Sequence, residues 1–138
     1  MILLDTNILS ELMRVDASKR VMAWLNLQAV SGLFICAITR AEIELGLQSL
    51  PGGKRKDQLK QAAREMFDEF AGRCLPFEES SAIQYARLVA RRQKSGRPIS
   101  VEDAQISAIA LTHGMTLATR NTKDFKSIEE LVLINPFL

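Results

Sequence analysis

Along the chain, short apolar runs alternate with longer stretches in which apolar residues recur every three or four positions, the pattern of buried strands alternating with amphipathic helices. Met1–Leu4 reads as a strand closed by Asp5, with a short helix expected from about Ile8. Lys19–Leu27 places Val21, Met22, Trp24 and Leu25 at helical spacing, and Leu33–Ile38 reads as a second strand. Thr39 then opens a helix with Glu42 three residues on, the pattern of a capping box, and Pro51-Gly52-Gly53 breaks it. Lys54–Phe70 is a long amphipathic helix, followed by a strand near Arg73–Leu75 and a helix from about Ser80 to Lys94 that stops at Gly96, with Pro98 beyond. Ser100 to Asp103 repeats the capping-box pattern and opens a helix ending at His113-Gly114. Met115–Thr119 and Leu131–Ile134 complete a set of five strands. Such alternation predicts an α/β sandwich with a mainly parallel sheet, and no repeat or shift of composition divides residues 1–138 into more than one domain.

In a parallel sheet the strand C-termini share one edge, and ligands bind outside it. Asp5 ends the first strand and Glu42 stands just after the second. Asp103 begins a helix of about 18 Å by its rise per residue, close to the ~17 Å of a five-residue strand, so its start returns to the same edge. Asn121 and Asp124 follow the fourth strand directly. Two carboxylates about 4 Å apart repel by roughly 4 kcal/mol at an effective dielectric near 20, so clustered acids take up a proton or a cation. Acids without histidine or cysteine ligands favour a hard ion, magnesium or manganese, which polarises a phosphoryl oxygen and supplies a hydroxide for in-line attack. Phosphodiester hydrolysis fits that chemistry. Taken singly, Glu42 and Asp103 are read equally well as helix-capping residues; Asp5 has no such role unless it starts the next helix.

Composition adds limits. Of 138 residues, 47% are hydrophobic and 25% charged, ordinary for a globular protein, and a net charge of +2 means that any nucleic-acid site must be local. Cys36 and Cys74 lie in apolar strand-like runs and are expected to be buried, inert thiols suited to a reducing cytoplasm. The charged residues soon after Met1–Leu4 fit neither a signal peptide nor a membrane span.

The opening Leu4-Asp5-Thr6-Asn7 resembles that of PIN-domain proteins, especially the VapC and FitB toxins of bacterial toxin–antitoxin pairs. The likeness continues through Ala37–Gly46, through Glu102-Asp103-Ala104, through Ala118–Phe125 with its RNTKDF run, and through Leu133–Phe137. It covers essentially the whole chain in order. It implies a PIN-like α/β/α sandwich and a metal-dependent ribonuclease in which Asp5, Glu42 and Asp103 are catalytic and ligate Mg2+ (or Mn2+). Thr6 and Asn7 would orient those ligands, with Thr119, Asn121 and Asp124 in support. It further implies an RNA substrate, a small antitoxin that blocks the acidic edge, a homodimer, and DNA binding only through the antitoxin complex. Asn121 departs from the pattern: relatives often carry an acid there. An amide keeps an acceptor oxygen and loses the charge, and Asp124 is read as compensating for it or as capping a turn.

Other features weigh less. His113, the only histidine, sits beside a C-capping glycine in a helix's last turn, a structural place. A single histidine excludes two-histidine ribonuclease chemistry and leaves a Ser-His-Asp triad only this poorly placed base. Gly52-Gly53-Lys54 lacks the phosphate-loop pattern. Lys54-Arg55-Lys56 and Arg91, Arg92, Lys94 and Arg97 are read either as tracking RNA phosphates or as solvated helix faces. Trp24 and Tyr85 are expected in the core or at an interface. A receiver module would want an acidic pair after the first strand, and a haloacid-dehalogenase-type phosphatase would want DxD; Asp5-Thr6-Asn7 supplies neither. The remaining alternative from another class is a non-catalytic protein-binding domain on the same fold.

Overall fold

The computed structural model describes all 138 residues. Five parallel strands form its centre: β1 (Ile2–Leu4), β2 (Leu33–Cys36), β3 (Cys74–Leu75), β4 (Thr116–Ala118) and β5 (Leu133–Ile134), in the order β3-β2-β1-β4-β5. Around them run α1 (Thr6–Leu12), α2 (Lys19–Asn26), α3 (Ala37–Gln48), α4 (Lys54–Glu69), α5 (Glu79–Lys94), α6 (Val101–Thr112) and α7 (Thr122–Phe125).

The period-2 geometry of the strands divides the core in two. Leu4, Ile35 and Ala118 pack on one face with Ile8, Leu9, Ile43 and Phe67 of α1, α3 and α4. Leu3, Cys36 and Leu117 pack on the other with Leu88, Ile106 and Ile109 of α5 and α6. Both faces are covered, so the strands read as continuous apolar runs rather than alternating ones. Here the expected α/β/α sandwich is what forms. No helix is long and apolar enough to cross a membrane.

Strand order sets where a site can lie. The chain winds from β1 outward to β2 and β3, then crosses back to lay β4 and β5 on the other side of β1. The reversal leaves a crevice beyond the C-terminal ends of β1 and β4, the usual place for a ligand in an open α/β sheet. Asp5 follows β1 there, and its N–H donates to the Ala118 carbonyl of β4 at 2.9 Å.

Several boundaries differ from expectation. The first helix begins at Thr6 rather than Ile8, because Asp5 is extended and its Oδ1 accepts the Thr6 N–H at 2.8 Å. Asp5 therefore has a capping role after all. The second strand stops at Cys36, and Ala37 and Ile38 form the first turn of α3. Thr39 is not that helix's cap: its hydroxyl donates to the Cys36 carbonyl at 2.9 Å and accepts the Cys36 N–H at 3.3 Å, closing a helical turn already begun. At α6 the expected cap holds, with Ser100 Oγ accepting the Asp103 N–H at 3.1 Å, and His113 caps the other end before Gly114 at φ +62. The short α7 has no counterpart among the expected elements. Both cysteines are free, but only Cys36 is buried; Cys74 is exposed, because β3 is an edge strand with a sheet neighbour on one side only.

Candidate functional site

Asp5 is the most enclosed of the acids, 5% exposed at the crevice. Its Oδ2 accepts from the Thr119 hydroxyl at 2.7 Å and from Asn7 Nδ2 at 3.3 Å, in addition to the capping bond on Oδ1. A residue that only capped α1 would have no need of the Thr119 bond, which reaches across to the end of β4. Asn7 ties the same corner from the other side. Its Nδ2 also donates to Thr119 Oγ1 at 3.4 Å, and its Oδ1 accepts the Arg120 N–H at 3.0 Å. Thr119 Oγ1 in turn accepts the Asn121 N–H at 3.1 Å. The Asp5 carboxylate is thus held in one orientation by groups from two neighbouring strand ends. Burial pushes its pKa above the ordinary carboxylate value; the bonds from Thr119, Thr6 and Asn7 oppose the rise, and the charge of Asp124 adds to it.

Glu42 belongs to the same edge. Because α3 starts at Ala37, Glu42 lies beyond the first turn and caps nothing. Its Oε1 instead accepts the Thr6 hydroxyl at 2.6 Å, a short charge-assisted bond from the residue next to Asp5. That bond replaces the capping reading of Glu42.

Asp103, in the first turn of α6, is half-buried. Burial first, and then the charges of Asp5, Asp124 and Glu42, lift its pKa to about 6 against the opposing bond with the Ser100 side chain. Acids from four separate elements therefore lie within one another's field. Asp124 is among them: it is exposed, in the first turn of α7, and its charge is felt by both Asp5 and Asp103. The Asn121 side chain is exposed and makes no hydrogen bond, while its backbone starts α7.

No three of these carboxylates stand close enough to clasp an ion among themselves. What they offer is an open edge of oxygen donors with no histidine or cysteine beside them. Such a donor set suits a small hard cation that keeps much of its own water, since magnesium is usually held by one or two carboxylates. It suits neither zinc nor a closed calcium cage.

Two features of the edge lie beyond what the sequence predicts. Arg120 stacks its guanidinium 4.5 Å from the Phe137 ring centroid, and its carbonyl accepts from Asn135 Nδ2 at 3.3 Å, so the C-terminal segment fastens the end of β4. Arg92 of α5 donates to the Asp124 carbonyl at 3.2 Å and braces α7 from behind. The run of basic residues on α5 is visible in the sequence, but the partner is not.

Comparison with known proteins places the chain in a family. The family model for the PIN domain matches residues 2–131. VapC ribonuclease Y4jK of Sinorhizobium fredii is 39% identical over 138 residues, covering 99% of this chain and 98% of its own. Toxin FitB of Neisseria gonorrhoeae is 38% identical over 138 residues, covering 99% of each. Among solved structures, FitAB bound to a DNA fragment superposes with a TM-score of 0.91 at 39% identity, covering 100% of this chain and 96% of that one. This chain belongs to the PIN-domain family, among its VapC- and FitB-type members.

Proposed function

We propose that this protein is a metal-dependent ribonuclease, the toxin of a VapBC- or FitAB-like toxin–antitoxin pair, which hydrolyses RNA phosphodiester bonds at the acidic edge. The observation that carries the reading is the meeting of Asp5, Glu42 and Asp103 in one electrostatic field at the sheet's crevice, with Asp5 and Glu42 each held by a hydroxyl. The names of the relatives supply the substrate class: one is a VapC ribonuclease and another a toxin.

Mg2+ (Mn2+ is equivalent in ligand preference) would be held at the edge of Asp5, Glu42 and Asp103 by one or two of these carboxylates directly and by the rest through its own water. The ion, when bound, supplies Lewis-acid polarisation of the phosphoryl group and lowers the pKa of water. This chain's residues do the rest. Thr119 and Asn7 keep the Asp5 carboxylate fixed toward the crevice. Thr6 occupies Oε1 of Glu42, which leaves Oε2 to take the proton of the attacking water. Asp124 adds negative charge at the rim and Asn121 an amide in place of an acid.

A toxin of this kind works in the cytoplasm, pairs as a homodimer, is held inactive by a small antitoxin over the acidic edge, and reaches DNA through the antitoxin complex. The DNA-bound FitAB structure supports the last of these, and exposed apolar side chains such as Leu27, Val30 and Leu45 offer surface for partners. The test is cleavage of single-stranded RNA by the purified chain in magnesium and in chelator. Cleavage in magnesium and its loss in chelator are expected. Stable RNA in both conditions would leave the non-catalytic binding domain as the better reading.

A further inference from the structure

Away from the acids, a cavity of about 500 Å³ opens between the C-terminal half of α5, the end of α6 and the loop after α7. Its floor is apolar, made by Leu88, Leu111 and Ile128, and its rim carries Arg87, Arg91, Arg92 and Arg97 opposite Glu129 and Glu130. Arg91 is neutralised by Glu129 at 2.8 Å. Arg92 bonds only to main-chain carbonyls, those of Arg97 at 2.7 Å and Asp124 at 3.2 Å, which orient the guanidinium and leave its charge unmatched. Arg87 and Arg97 make no side-chain bond. The rim therefore carries excess positive charge above an apolar surface.

Position gives this cavity its meaning. Arg92, on the rim, bonds to the carbonyl of Asp124, whose carboxylate acts on Asp5 and Asp103, and the loop Ser127–Glu130 that lines the cavity follows directly from α7, so α7 links the cavity to the acidic edge. A polyanion gains nothing from an edge of carboxylates and needs cationic surface close by. Unpaired bases of RNA are commonly bound on apolar or guanidinium surfaces with their phosphates on arginine forks. A volume of this size falls within the range of small-molecule pockets.

We infer that this cavity holds a nucleotide of the RNA strand flanking the bond cut at the acidic edge, its base on the Leu88, Leu111 and Ile128 floor and its phosphates on Arg87 and Arg97. The inference rests on the ribonuclease reading for the identity of its ligand, and it adds a subsite to that reading.

The test uses the full chain carrying Asp103→Asn, so that RNA is bound and not cut, with and without Arg87→Gln and Arg97→Gln. These two changes spare the Arg91 ion pair and the bonds from Arg92 to the main-chain carbonyls of Arg97 and Asp124. Fluorescence anisotropy of a labelled single-stranded RNA is followed over a salt series in magnesium buffer. The double change is expected to weaken binding about tenfold and to flatten the slope of log affinity against log salt by about 1.4, roughly 0.7 for each phosphate that the protein no longer neutralises. Equal RNA affinity and equal slope overturn the assignment and return the cavity to a protein partner or to bare surface. Adenosine monophosphate serves as the free-nucleotide probe: loss of its binding in the double variant with RNA affinity unchanged makes this a mononucleotide site and likewise overturns the inference. Cleavage by the unmutated chain is assayed separately. RNA held through these arginines by a protein that never cuts it sustains the subsite and sinks the ribonuclease reading.

Discussion

Asp103 shows how burial and neighbouring charge act in the same direction on one residue. Its carboxyl titrates near 6 in the folded protein against an ordinary value of 3.8, so between those values the native state holds a proton that the unfolded chain has released. The favourable contribution is present below 3.8 and is lost as pH rises through about 6. Asp5 is shifted in the same direction. Asp103→Asn should therefore raise the melting temperature of the metal-free protein near neutral pH by about 2–4 °C, a modest figure because solvent screens a half-buried group. The gain should vanish near pH 4, where the wild-type carboxyl is largely protonated. Melts at both pH values check this; an equal gain at each would mean that charge is not its source. Glu42 gives a second test at this scale. Glu42→Gln should slow RNA cleavage at least about a hundredfold, the low end of a general acid–base contribution. Thr6→Val, which removes only the hydroxyl bonded to Oε1, should cost on the order of tenfold, about the worth of one hydrogen bond to a charged group. Near-wild-type rates for both, measured in single turnovers, would detach Glu42 from the chemistry.

At the scale of elements, the apolar runs mark every strand, because strands buried on both faces leave a continuous signal. The helix starts are harder to read. Thr39 and Glu42 have the spacing of a capping box, yet α3 begins at Ala37, because the Thr39 hydroxyl bonds back to Cys36 on both its N–H and its carbonyl. Asp5 is legible as an acid closing a strand, but its second role as the cap of α1 depends on the extended backbone at that residue. The exposure of Cys74 is hidden in the sequence because an edge strand and a central one share the same local composition. The four-residue α7 gives no periodic signal, yet it brings Asp124 toward Asp5 and Asp103. Asn121 begins that element and carries an unpartnered side chain. Asn121→Asp should lower the melting temperature of the metal-free protein, since five acids repel more than four, and should enlarge the rise produced by magnesium. The two shifts have opposite signs, so a general change of stability cannot imitate them. A magnesium-induced rise no larger than that of wild type would show that position 121 does not face the ion.

For the whole molecule, the decisive feature is the strand order. Because β4 returns to lie against β1, residues far apart in sequence close one crevice: Asp5 meets Thr119 at 2.7 Å, and the start of α6 delivers Asp103. That convergence can be anticipated, since alternating strands and helices of matched length bring each strand's C-terminal end to one edge. The arginine cavity cannot be anticipated in the same way. Arg91, Arg92 and Arg97 form a basic run, but the loop that completes the cavity and the carbonyl of Asp124 come from elsewhere in the chain. The most direct measurement is the rate at which purified Asp103→Asn cleaves single-stranded RNA in magnesium, with its fold checked by circular dichroism. Loss of at least about a hundredfold, with the fold unchanged, is the result expected of a residue that supplies charge to the ion. Wild-type cleavage by that variant would contradict the assignment of the acidic edge as the place where RNA is cut.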